Sequence, residues 1–318
     1  MKSKVSVIIP VLNRKDLLLR CLDSIGKQTH RPLELIIVDN GSTDGTPEAA
    51  VEWGEVHASK DFEVRILREA KPGACAARNK GLNEATGELA LFFDSDDTMR
   101  HDLISLAVRE FEKQPDTDIV CWKCELHQLD GSIRRPPFTP EKALECHLIH
   151  ALLRTQGYMA RTVAFRSAGG WDESLSCWND WELGVRMLLG NPKIIGIGEA
   201  LVYIYAQSVS ITGESFSKKA GSWEKSLAAI RRDINESHRP DKEKLLAIVS
   251  YRDVILAAHY AKEGNSELIG DLLDSTSVRK SKTLKMKLRG LILSAVFHYT
   301  RYGGRGVWKM VGNLIKSF

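Results

Sequence analysis

Three carboxylates, Asp94, Asp96 and Asp97, close the apolar run Leu89-Ala-Leu-Phe-Phe93, with Ser95 between the first two. A run of about five such residues reads as a buried central strand, so the acids stand at its C-terminal end. Open α/β sheets bind ligands at that edge. Acids one residue apart, where a strand turns into a loop, offer hard oxygen ligands to a divalent cation such as the Mg²⁺ or Mn²⁺ that accompanies phosphates. A polar strand-to-helix turn, in which Asp97 or Thr98 caps the next helix, accounts for the same ten residues. From these residues alone both readings stand.

Val5 to Val11 reads as a buried strand, and Leu17, Leu18, Cys21, Leu22 and Ile25 then share one helix face. A second buried strand, Leu33 to Val38, ends in Asp39-Asn-Gly-Ser-Thr-Asp-Gly45, a loop built of turn residues. Strand, helix, strand is the start of a parallel sheet with a ligand-facing edge, and Asp39 stands at its strand end as Asp94 does. A third strand is expected at Val64 to Leu67. Lys71-Pro-Gly73 before an alanine-rich stretch then marks a helix start that offers free N–H groups to an anion, with Arg78 in its second turn. After the carboxylates the spacing predicts a helix from about His101 to Lys113, with Leu103, Ile104, Ala107, Val108 and Phe111 facing inward. Asp130-Gly131 signals a hairpin, and Trp181, Val185, Leu188 and Leu189 define a later amphipathic helix. Asn179 and Asp180 fall in its first turn, where an acid can equally cap the helix or compensate its dipole.

From Trp223 onward the pattern is helical, and 214 to 222 is the best boundary, giving an α/β domain over 1–218 and a helical region over 219–318. The hydrophobic fraction of 43% and charged fraction of 27% suit a globular protein. The net charge of +4 conceals an asymmetry, because residues 279–318 carry ten Lys/Arg and no acid. Basic residues around Leu291-Ile-Leu293, Phe297, Tyr299, Tyr302 and Trp308 suit an anionic membrane surface, and no nucleic-acid motif accompanies them. Irregularly spaced cysteines and the lack of a secretory pattern predict a cytoplasmic chain, whose tail is expected either to contact the inner face of the cell membrane, the favoured reading, or to pack on the catalytic domain as a helix pair with a solvated basic face.

Taken together, Val5-Ser-Val-Ile-Ile-Pro-Val-Leu-Asn13, Val38-Asp-Asn-Gly-Ser-Thr-Asp44, Ala76-Ala-Arg-Asn-Lys-Gly81, Phe93-Asp-Ser-Asp-Asp97, Gly169-Gly-Trp-Asp-Glu173 and Asn179-Asp-Trp-Glu182 follow the order found in family-2 glycosyltransferases. The resemblance spans roughly residues 4 to 212. It implies a GT-A fold: a Rossmann-like, mostly parallel sheet flanked by helices, here with a C-terminal helical extension. It also implies an inverting transferase that moves a sugar from a nucleotide-diphosphate donor, a UDP-sugar, to a glycan or lipid-linked acceptor hydroxyl. In that frame Asp39 holds the base, with Pro10 and Asn13 lining the same pocket. Asp94 and Ser95 meet the ribose side, Asp96 carries Mn²⁺ or Mg²⁺ on the diphosphate, Arg78 lies close to the nucleotide, and Asp180 is the general base. Asp97 gains no role beyond capping the helix that follows.

Three positions depart from the family pattern. Leu12 stands where tyrosine is usual, Asn179 where a glutamate precedes the base, and Ala206 where an arginine follows Tyr205. Asn179 removes a charge beside Asp180, which favours a lower pKa than in relatives. Ala206 removes a cation for the diphosphate and leaves room for a non-catalytic nucleotide-sugar-binding or scaffold subunit. Asp94-Ser-Asp-Asp-Thr98 also fits the nucleophile loop of haloacid-dehalogenase-like phosphohydrolases, but that loop opens its domain, whereas some ninety residues of α/β pattern precede it here.

Overall fold

The computed structural model describes residues 3–207, 215–270, 272 and 294–301. β1 (Val5–Val11) and β2 (Leu33–Asp39) are buried along their whole lengths, as strands inside a parallel sheet must be. Between them runs α1 (Lys15–Gly26), with Leu18, Cys21, Leu22 and Ile25 inward. α2 (Thr46–His57) leads to β3 (Phe62–Arg68), α3 (Ala74–Glu84) to β4 (Leu89–Phe92), and a two-residue β5 (Thr98–Met99) precedes α4 (Leu103–Lys113). All five residues expected on the inner face of α4 are buried there. α2 carries only a weak amphipathic pattern, and its register comes from Trp53, whose indole N–H reaches Asp23 on α1 at 2.9 Å.

β6 (Ile119–His127) and β7 (Ile133–Arg134) form the hairpin announced by Asp130-Gly131, with Gly131 at φ 78° where a side chain would be strained. Then follow α5 (Ala143–His150), β8 (Tyr158–Arg161), α6 (Thr162–Ser167), α7 (Asn179–Leu189) and β9 (Ile194–Tyr205). The strands make one nine-stranded sheet in the order β3-β2-β1-β4-β8-β6-β9-β5, with β7 paired to β6. The β3, β2, β1, β4 half is parallel, and β8 and β5 enter antiparallel.

Because β1 pairs with β2 on one side and β4 on the other, the chain reverses its direction of travel across the sheet at β1. The crevice beyond its C-terminal end is where such sheets take ligands. Alternation along β1 sorts the two layers. Val5, Val7, Ile9 and Val11 pack with α1, α2 and α4 residues such as Leu22, Trp53 and Ile104, whereas Ile8 faces α3. On that second face Phe92 meets Phe165 and Trp171 edge-on at 5.0 and 5.2 Å.

The chain divides into two compact units, the first built from residues up to 146 with 151–207 and the second from 147–150 with those from 208 on. In the second, α8 (Ser222–Glu236) and α9 (Lys242–Lys262) form a helix pair joined by the ion pair of Arg231 with the buried Asp253. Beyond α9, Glu263 accepts hydrogen bonds from Ser215 Oγ at 2.6 Å and the Phe216 and Ser217 amides at 2.9 and 2.8 Å. Burial opposes its charge, but these bonds outweigh it and hold the carboxyl down at about 2. Most of the basic tail lies outside the described residues. No helix among the described residues is long and apolar enough to cross a membrane.

Candidate active site

The loops after β1, β2 and β4 are tied to one another by side chains. Asp39, buried at the end of β2, accepts the Gly41 N–H at 3.1 Å and the Ser42 N–H at 3.2 Å, which rigidifies the turn-rich loop. A carboxylate has about four acceptor positions, so capacity is left for a ligand donor. Asn13 takes up a left-handed conformation at φ 50°; its N–H donates to Ser42 Oγ at 2.8 Å and its Oδ1 accepts the Thr43 N–H at 2.8 Å. Pro10 pairs in register with Val38, one residue before Asp39. Pro10, Asn13 and Asp39 therefore line one stretch of the sheet edge, with Leu12 exposed beside them.

The acidic strand end is more crowded. Asp96 pairs with Arg14, the residue that opens α1. Burial, then the neighbouring Asp94, push the Asp96 carboxyl above the usual aspartate range, and Arg14 opposes them. Arg20 donates to the Asp96 backbone carbonyl at 2.5 Å and lies over the Tyr205 ring at 4.3 Å. Ser95 is buried between the two acids. Arg78, from the second turn of α3, donates to Asp94 Oδ1 at 2.8 Å and to Asn179 Oδ1 at 3.5 Å, with Trp171 beneath its guanidinium at 4.2 Å. Its Nε is buried without a partner among the described residues.

Asp180 follows Asn179 in the first turn of α7, and Arg78 thus connects it to Asp94. Its Oδ1 accepts the next amide, that of Trp181, at 2.8 Å. Burial raises the Asp180 carboxyl above the ordinary aspartate value; Arg78 lowers it and Asp94 raises it further. The neutral Asn179 takes away one repulsion, but burial prevails. The residue before α7 gives no side-chain cap, since Trp178 stands there in the left-handed region at φ 48°, and the first-turn amide of Trp181 is taken by Asp180 instead.

The cap expected of Asp97 is not formed. α4 starts only at Leu103, after Asp102, and Asp97 is buried under the strand end. Its Oδ1 accepts the Tyr205 N–H at 3.0 Å and Gln156 donates to Oδ2. Burial and the charges of Asp94 and Asp96 hold this carboxyl well above the usual range. The short β5 explains the difference: it inserts between the acids and the helix and pairs with β9, which brings the Tyr205 amide to Asp97.

Several residues of the site are not prominent in the sequence. Arg14, Arg20 and Gln156 sit in no motif, and only the proximity of Arg14 to Asn13 hinted at it. Asn79 explains two motifs at once. It accepts the Trp171 N–H at 2.8 Å and donates to the Trp171 carbonyl and to Glu173 at 2.9 and 2.8 Å, clamping the Gly-Gly-Trp-Asp-Glu turn to α3. A Cβ on Gly170 would stand 2.7 Å from Asn79 Oδ1, so the turn needs glycine there. Arg186, paired with the buried Glu182, donates to the Gly170 carbonyl at 2.8 Å and fixes the same turn from α7.

The model of glycosyl transferase family 2 matches residues 6–161, the stretch that holds every strand-end acid of the site. Residues 6–161 belong to glycosyltransferase family 2. It is 39% identical over 101 residues to glycosyltransferase GlyA of Streptococcus pneumoniae, which covers 32% of this chain and 14% of that protein. To glycosyltransferase GlyG of the same organism it is 35% identical over 121 residues, 38% of each chain. Against the cholesterol galactosyltransferase of Borreliella burgdorferi the figure is 32% over 139 residues, 44% of this chain and 37% of that one. The matched stretch thus spans less than two fifths of these curated relatives. Among solved structures, residues 1–349 of S. aureus TarS with UDP-GlcNAc align with a TM-score of 0.73 at 20% identity, covering 95% of this chain and 92% of that one. The mannosyltransferase PcManGT of Pyrobaculum calidifontis, with GDP-Man and Mn²⁺, aligns at 0.61 and 18% identity over 99% and 85%. Those structural likenesses establish the GT-A fold: a mixed, mostly parallel sheet flanked by helices.

Proposed function

We propose that the protein transfers a sugar from a UDP-sugar to a hydroxyl of a glycan or lipid-linked acceptor, in one inverting displacement. The observation that carries this reading is Arg78, which joins Asp94 at the end of β4 to the first turn of α7, where Asp180 lies. Two carboxylates some ninety residues apart thereby serve one cleft. Asp39, Pro10 and Asn13 hold the base side of the nucleotide, and Asp94 with Ser95 the ribose side.

Asp96 offers the hard carboxylate oxygens that Mg²⁺ or Mn²⁺ favours. The protein supplies few of them, as suits a cation that completes its shell from the diphosphate and water. When bound, such an ion stabilises the charge gathering on the leaving diphosphate. Asp180 takes the proton of the attacking hydroxyl, and the burial that raises its pKa makes it a stronger base than an exposed aspartate. With no second carboxylate assigned as nucleophile, attack by the acceptor is the only displacement, which inverts the anomeric centre. The non-catalytic reading keeps the donor pocket and drops the transfer.

Thermal shift against nucleotide diphosphates and their sugars, with and without Mn²⁺, combined with the Asp180→Asn variant, separates the two. UDP ligands should stabilise the protein in a metal-dependent manner. Asp180→Asn should keep that shift and lose about 10²–10⁴-fold in transfer, the usual contribution of a positioned base. A wild-type protein that binds the donor yet transfers nothing to any offered hydroxyl would favour the scaffold reading instead.

A further inference from the structure

Asp96 already has a cationic partner. The Arg14 guanidinium occupies the carboxylate that the proposed function assigns to the divalent ion, so the two cations compete for one group. Apart from Asp96, the contacts of Arg14 among the described residues are at its backbone, where its N–H donates to Thr46 Oγ1 at 3.1 Å, and its side chain remains 30% exposed. Arg20, one and a half turns further along α1, is fastened differently. It grips the Asp96 backbone carbonyl and the Tyr205 ring, contacts that persist whatever the Asp96 carboxylate binds.

We infer that Arg14 is an internal counter-ion, which holds Asp96 in the donor-free protein and passes to the diphosphate when Asp96 takes the metal. A guanidinium left beside a divalent ion is repelled by it, and the phosphate oxygens are the nearest new anion, with the forked geometry arginine prefers. The exchange supplies a cation on the diphosphate in a chain that carries alanine at position 206. It also couples the two ligands: metal alone must displace Arg14, whereas metal with nucleotide gives Arg14 a new partner. By reciprocity, nucleotide tightens metal as much as metal tightens nucleotide.

The inference rests on Asp96 as the metal carboxylate, so the test includes that residue. Mn²⁺ binding to the full chain is followed by the EPR signal of free Mn²⁺, with and without UDP, for wild type, Arg14→Gln, Arg14→Lys and Asp96→Asn. Arg14→Gln should bind Mn²⁺ alone about two- to fivefold more tightly, the worth of a partly exposed ion pair. It should bind UDP at saturating Mn²⁺ about three- to tenfold more weakly. Arg14→Lys, which keeps the charge, should stay within about twofold of wild type for Mn²⁺ alone. Unchanged or weaker Mn²⁺ binding in Arg14→Gln, or a lysine variant that behaves like the glutamine one, would overturn the exchange while leaving the metal site in place. If Asp96→Asn binds Mn²⁺ as well as wild type, the metal assignment itself fails and the exchange with it.

Discussion

At the scale of single residues, the site is a set of acids whose surroundings push them apart in role. Asp97 is sunk beneath the strand end and serves as an acceptor for the Tyr205 amide and Gln156. Asp96 pairs with Arg14, and Asp180 accepts the neighbouring Trp181 amide. Burial lifts Asp180, and a base must be unprotonated to act, so the rate falls as pH drops through its raised value. The acid limb of kcat/KM should therefore lie above the ordinary aspartate value of about 3.9. A pH–rate profile with its acid limb at or below that value would remove Asp180 from the role of base.

At the scale of elements, positioning depends on how closely α3 approaches the sheet. A Cβ on Gly81 would stand 2.4 Å from Ile8 Cγ2 and 3.3 Å from Val38 Cγ2. Gly81→Ala must push the helix off β1 and β2, moving Arg78 and Asn79 with it. Overpacking of this kind costs about 1–3 kcal/mol, of which the better helix propensity of alanine returns up to about 1 kcal/mol. Thermal unfolding should show the loss as a fall in Tm of roughly 2–4 °C per kcal/mol. Gly198→Ala, which meets nothing within 4 Å, serves as the control and should leave Tm unchanged. Donor binding should weaken in Gly81→Ala as well, because Arg78 rides on the displaced helix.

At the scale of the whole molecule, the charge is unevenly shared: ten basic residues and no acid fall in 279–318. We propose that this stretch brings the transferase to an anionic lipid surface, where a lipid-linked acceptor would be met. Each nearby cation contributes about 1 kcal/mol to such binding at low salt. The full chain should cosediment with vesicles containing anionic lipid at low ionic strength, and not with purely zwitterionic ones. Raising the salt to about 0.5 M should release it, since the Debye length then falls to roughly 4 Å. Equal recovery with both vesicle types would refute the electrostatic contact.

Much of this was legible in the chain itself, for reasons of periodicity. Strands buried on both faces must be apolar throughout, so β1, β2 and β4 announce themselves, and acids at their ends mark the ligand edge before any fold is known. The apolar stripe of α4 is equally plain, because a helix against a sheet must bury one face. α2 is poorly legible because its pattern is weak and its place is fixed by the Trp53 contact. The burial of Asp97 is hidden from the sequence, because whether an acid after a strand caps a helix or is buried depends on β5, two residues long and paired with the distant β9. The types and order of the site residues thus follow from sequence alone. Their connections do not: Arg14 to Asp96, Arg78 between Asp94 and Asn179, and Asn79 across to Trp171 join residues 82, 101 and 92 positions apart at the widest. Only the closure of the sheet and the packing of α3 and α7 could bring such side chains within hydrogen-bond reach.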